Sequence, residues 1–141
     1  MKCQADIEAL ADAKFNEARC LLGAGLNDGA FYLAGYTIEL LLKAKVCKTL
    51  GITDFFLFDK AKNKDAYRPY KVHDYDQLLL LSGIFSEFQS ELTINLAFKK
   101  HWSVVSKWDE GARYLAGRSN TDAQNFVSSV HEVSLWIKKH L

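Results

Sequence analysis

Apolar residues recur along most of this chain every three or four positions, the spacing of an amphipathic helix. From residue 5 to about 23, Ile7, Leu10, Ala11, Phe15, Ala18, Leu21 and Leu22 share one face. Gly23-Ala-Gly25 ends that helix, and Asn27-Asp-Gly29 forms a turn in which Asp28 can cap the next one. The second helix covers about 29–50 and stops at Gly51. So short a link makes the two antiparallel neighbours. Asp74, with Gln77 three residues on, is a capping pair ahead of Leu78-Leu79-Leu80-Leu81, a short third helix that stops near Gly83. A fourth begins around Ser86. It carries Phe88, Leu92 and Leu96 on one side and Ile94, Phe98, His101 or Trp102, Val105 and Trp108 on another. Gly111 and Gly117 bracket a loop, and Thr121 with Gln124 reads as a capping box for the last helix. There Phe126, Val130, Val133, Ile137 and Leu141 recur. The sum is an all-α, up-and-down antiparallel bundle of four main helices plus a short one. It forms a single domain over 1–141, with a loop insertion at about 51–72.

The second helix stands apart from the others. Between Ala30 and Ala44 it is apolar almost all the way round, which places it inside a protein or an interface. At about 100° per residue, Tyr32, Tyr36, Glu39 and Lys43 fall in one narrow stripe on it. Glutamate four residues before lysine is the favourable order for a plain helix pair, and a structural network is the plainer reading of these residues. The other reading is contact with a ligand or partner. Either way, charges on so apolar a helix need partners. Arg113 is expected to join them in one cluster, with His73 close by. The apolar excess over 30–50 also predicts a homodimer through this helix or the adjoining tryptophan-bearing segments.

The insertion differs in kind. Thr53-Asp-Phe-Phe-Leu-Phe58 is an aromatic run with no second strand to pair with, and reads as an anchoring loop or a final irregular turn. Lys60, Lys62, Lys64, Arg68 and Lys71 against Asp59 and Asp65 leave the segment positive by three, with Tyr67 and Tyr70 interleaved. Such a mixture can bind phosphates and stack on bases, although a solvated loop is the plainer reading.

Composition narrows the classes. Over 141 residues, 49% hydrophobic and 25% charged residues are the balance of a globular protein, and a net charge of +1 argues against a globally basic nucleic-acid binder. Cys3, Cys20 and Cys47 are odd in number and form no C-x-x-C, which predicts free thiols in a reducing cytoplasm, with Cys20 and Cys47 in the core. No run of about 18 uncharged apolar residues predicts a membrane span. Met-Lys-Cys-Gln-Ala-Asp leads straight into the amphipathic pattern, so no signal peptide is expected. No two of the four histidines stand at metal-ligand spacing, and neither metal nor cofactor is expected. His101 and His131 read as surface or edge residues, and Trp102, Trp108 and Trp136 as core or dimer interface. His73, just before a helix, reads first as a capping or packing residue, because a general base needs a second reacting group beside it.

Three motifs fall in order along the chain: Ala-x-x-x-Ala-x-Tyr-x-x-Glu-x-x-x-Lys-Ala (Ala30 to Ala44), His73 ahead of a leucine-rich helix, and Trp108-Asp-Glu-Gly-Ala-Arg113-Tyr114. In that order and spacing the chain resembles the HEPN domain (higher eukaryotes and prokaryotes nucleotide-binding) over nearly its whole length. The resemblance implies a bundle of four main helices, usually homodimeric. In many prokaryotic members it implies action beside a minimal nucleotidyltransferase in a two-component, toxin–antitoxin-like system. A second group in the family consists of metal-independent ribonucleases with R-x(4–6)-H in the C-terminal part. This chain departs from that pattern: no histidine follows Arg113 or Arg118 at the required distance, and no arginine so precedes His131 or His140. Arg68-Pro-Tyr-Lys-Val-His73 matches formally, but it lies in the insertion, and with 18 basic residues a chance match is expected. The expectation is a non-catalytic nucleotide- or partner-binding protein, with a divergent ribonuclease as the alternative. Its candidate residues are Tyr32, Tyr36, Glu39, Lys43, His73, Arg113 and Tyr114, and its candidate ligands nucleotide or RNA.

Overall fold

α2 (Asn27–Leu50) is the axis around which the chain is arranged. The computed structural model describes residues 3–54 and 72–141. Among them it is all-helical: α1 (Gln4–Gly23), α2, α3 (Tyr75–Ser82), α4 (Phe85–Ile94), α5 (Leu96–Val105), a 3₁₀ turn (Glu110–Tyr114) and α6 (Asn120–Lys138). Six α-helices therefore pack together where four main ones and a short one were expected. The insertion's basic and aromatic residues and Arg68 lie outside the described residues, and so does most of the 53–58 run.

α2 lacks a narrow apolar stripe because it is enclosed over most of its circumference, the side of Tyr32, Tyr36 and Lys43 being only partly covered. Ala30, Ala34, Ile38, Leu40, Leu41, Leu42, Ala44, Val46 and Cys47 are all at or near zero exposure. α1, α3 and α6 close over it, and the turn at 24–26 folds α1 back along it. The apolar excess that predicted a dimer through this helix is thus covered by its own chain. Trp108 and Trp136 are buried in the same core.

Other expectations needed correction. The fourth helix breaks at Asn95, whose extended backbone ends α4 and whose side chain accepts from the Phe98 amide at 3.1 Å, capping α5. The apolar spacing runs across the break, but Ile94 and Leu96 on either side are 77% and 71% exposed. α6 is capped by Ser119 rather than Thr121. Cys20 is exposed while Cys47 is buried, and burial, then Cys3, pushes the Cys47 thiol up to about 11. As expected, Asp74 caps α3 by accepting from Gln77, and Gly83, at φ 80°, ends that helix in a conformation few other residues tolerate.

Asp28 does not cap α2, which starts one residue earlier. Its carboxylate instead accepts from the Gly117 and Arg118 amides at 3.0 and 3.1 Å and from the Arg118 guanidinium at 3.4 Å. That guanidinium lies 3.8 Å over the Phe31 ring. These contacts fasten the loop before α6 to the start of α2. The Arg118 amide first, then the Gly117 amide, hold the Asp28 carboxyl below its ordinary value. Because the folded value is the lower one, the stabilisation is complete above the ordinary carboxylate range and is lost as pH falls through the folded value. Asp28→Asn is therefore expected to lower the urea midpoint at neutral pH. The gap to the native protein should close as the solution is acidified below pH ~4, and a gap that stays constant with pH would remove Asp28 from this role.

Candidate functional site

Glu39 is the one charged side chain in the described core, at 0% exposure. Its Oε1 accepts from Lys43 Nζ at 2.6 Å, one turn along α2, and from His73 Nδ1 at 2.9 Å. A carboxylate only accepts, so His73 donates through Nδ1 and turns Nε2 outward. Nε2 lies 3.4 Å from Glu110 on the 3₁₀ turn, and the other oxygen of Glu110 lies 3.3 Å from Arg113. The Arg113 guanidinium sits 4.9 Å from the Tyr114 ring centroid, and Tyr114 is 77% exposed.

The structure thus connects Glu39, Lys43 and His73 directly and reaches Arg113 only through Glu110. No direct Glu39–Arg113 contact forms. Tyr32 and Tyr36 stand parallel on the same face of α2, ring centroids 6.3 Å apart. Burial first, then Glu39 and Tyr32, raises the Tyr36 phenol above its ordinary value. Tyr114, Glu110 and Tyr32 all hold the Arg113 guanidinium above its own, Tyr114 most strongly. The seven candidate residues therefore run along one continuous track, from the inside of α2 to the surface at the 3₁₀ turn.

Local packing fixes that track. Tyr75 is buried, and its hydroxyl donates to the Gly35 carbonyl at 2.6 Å. Its phenol is raised well above the ordinary value by burial, then by Glu39, so it stays a neutral donor. Trp108 stacks on Tyr75 at 5.3 Å and lies against Tyr32 at 6.0 Å. It occupies the space where Gly35 has no side chain: a Cβ there would fall within the indole ring, against Cδ1, Cγ and Nε1. Among the described residues the indole Nε1 and Glu39 Oε2 are buried without hydrogen-bond partners. Beside His73 opens a small cavity of about 170 Å³, lined by Asp74, Asp76, Asp109 and the two indoles of Trp102 and Trp108.

Glu110, Tyr75 and Gly35 were not among the sequence candidates. Glu110 lies within the Trp108–Tyr114 motif, but only Arg113 and Tyr114 of that motif stand among those candidates. Gly35 carried a signal of its own, because a glycine inside a 24-residue helix costs stability unless something packs on it. No described group of three His, Cys, Asp or Glu could hold a metal ion, and no described helix is long and apolar enough to cross a membrane. Comparison with family models, with curated proteins and with solved structures found no match to this chain.

Proposed function

We propose that this protein is a non-catalytic, HEPN-type binding protein. It engages a nucleotide or a partner protein at the surface made by Arg113, Tyr114, Tyr32 and Tyr36, and works beside a minimal nucleotidyltransferase in the cytoplasm. The observation that carries this reading is the track from a fully buried carboxylate to an exposed guanidinium and phenol, Glu39–His73–Glu110–Arg113. A buried ion pair is costly to maintain, and here it anchors the imidazole that positions the exposed end. Arginine beside one exposed and two half-buried tyrosines suits phosphate, base or peptide contact. The motif order and the missing C-terminal R-x(4–6)-H support a binding role over cleavage.

The expected outcome is that ATP or the cognate nucleotidyltransferase binds the native protein. Arg113→Ala with Tyr114→Ala should weaken binding at least tenfold while leaving the circular dichroism unchanged. Equal binding by both proteins would sink the proposal.

One feature bears on the ribonuclease alternative: Glu39 orients His73 through Nδ1, so that Nε2 could serve as a general base once it leaves Glu110, 3.4 Å away. RNA cleavage by the native protein that disappears in Arg68→Ala/His73→Ala would establish it. Dimerisation is also proposed, with Ile94 and Leu96 at the α4–α5 break, 77% and 71% exposed, as one apolar surface that could serve it. Sedimentation at micromolar concentration should give twice 16.0 kDa, and a clean monomer would remove the dimer.

A further inference from the structure

α1 and α6 both pack on α2, but they meet each other only briefly. Between them runs an open groove of two adjoining chambers, about 510 and 320 Å³, which share Phe15, Arg19 and His131. Volumes of this size are those of small-molecule sites. The groove lies across α2 from the track described above. Its floor includes Thr37, two residues before Glu39, and two residues turn a helix by about 200°.

The groove combines four features. Phe15 from α1 and His131 from α6 stack on each other across it, with ring centroids 5.7 Å apart and planes 19° from parallel, so that a further flat ring can add to the stack. Leu22 and Val127 make an apolar wall at one end. Arg19 stands at the rim, exposed and without an ion pair among the described residues, whereas Arg113 pairs with Glu110 and Arg118 with Asp28. On the floor, Thr37 spends its hydroxyl on the Leu33 carbonyl, but Ser134, 5% exposed, has a hydroxyl with no partner among the described residues. At the far end Lys138 is held by Asp12 at 2.5 Å. The unneutralised charge facing the groove is therefore that of Arg19.

We propose that the α1–α6 groove binds a small aromatic anion, with its ring against Phe15 and His131 and its acid group on Arg19. A planar guanidinium takes a carboxylate or a phosphate through paired hydrogen bonds. An aromatic platform takes a flat ring by offset stacking. Neither feature alone would hold a small molecule in an open groove; side by side they select one that is flat at one end and charged at the other.

The test is an amide-shift titration of the full chain with benzoate and with phenyl phosphate. Benzamide serves as the uncharged control and inorganic phosphate as the control without a ring. One of the two aromatic anions should shift the amides around Arg19, His131 and Ser134, and the tighter of them names the acid group. Both controls should bind at least tenfold more weakly. Arg19→Gln, at an exposed position that leaves the core intact, should weaken the aromatic anion at least tenfold. Arg113→Ala should leave it unchanged, which separates this groove from the surface proposed above. No shifts at millimolar probe, shifts mapping elsewhere, equal binding of either control, or undiminished binding to Arg19→Gln would each overturn the proposal.

Discussion

Lys43→Met is expected to cost about 3–5 kcal/mol, the scale for removing one partner from a buried ion pair. Glu39 is at 0% exposure, and Lys43 supplies its 2.6 Å contact. Without the ammonium, the carboxylate keeps only His73, a half-exposed imidazole that also faces Glu110. The double variant Glu39→Gln/Lys43→Met should be less damaged than Lys43→Met alone. It removes both charges together, and a neutral amide can still accept from His73. His73→Ala should fall between native and Lys43→Met, since it leaves the shorter contact intact and opens the site to water. Urea unfolding of the four proteins, with unchanged slopes, is the measurement. If every change costs less than about 0.5 kcal/mol, the pair is an ordinary surface helix pair, and the buried anchor of the proposed binding surface is lost with it.

The second large effect is expected at Gly35. Alanine there is favourable for an isolated helix, by about 0.5–1 kcal/mol. In this structure the new methyl group would overlap the Trp108 ring. Overpacking costs about 1–3 kcal/mol, and expelling the indole instead forfeits about 3–5 kcal/mol of aromatic burial. Net of the helix preference, Gly35→Ala should therefore destabilise by about 0–2.5 kcal/mol if the core shifts to hold both groups, and by about 2–4.5 kcal/mol if the indole is expelled. Trp108→Ala alone should cost more. In the double variant the two should be far from additive, because the space vacated by the indole admits the methyl group. Additivity within about 0.5 kcal/mol would mean that the ring does not depend on the missing side chain. Gly35→Ala should also weaken whatever binds at Tyr32 and Tyr36, since Trp108 lies against Tyr32 and leads the chain into the 3₁₀ turn.

What could be read from the sequence was what repeats locally. α1, α3 and α6 follow from apolar spacing, because a helix writes its buried face into positions three and four apart. α2 follows from an apolar run closed by Gly51, and the starts of α2 and α6 lie one or two residues before those expected. The stripe Tyr32–Tyr36–Glu39–Lys43 was legible from the same helical spacing. The break at Asn95 was not, since the apolar register continues through it, and a capping asparagine looks like any other polar residue. Nor were the contacts that close over long separations: Asp28 with Arg118, ninety positions on, and His73 with Glu110. Each depends on how helices are brought together. Glu39 and Arg113 were expected to meet because both needed partners. The chain instead interposes an imidazole and a second carboxylate, an arrangement that requires knowing where the 3₁₀ turn lands.

The enclosure of α2 has a chemical consequence at its far end. A thiol raised to about 11 is, at neutral pH, ionised in only about one molecule in ten thousand, and the thiolate is the form that reacts. Cys47 is buried as well, so an alkylating reagent reaches it through transient separation of the helices around it. Cys20, exposed on α1, reacts without that step. The ratio of the two labelling rates in a single sample is thus an internal clock for how often the bundle opens around its central helix.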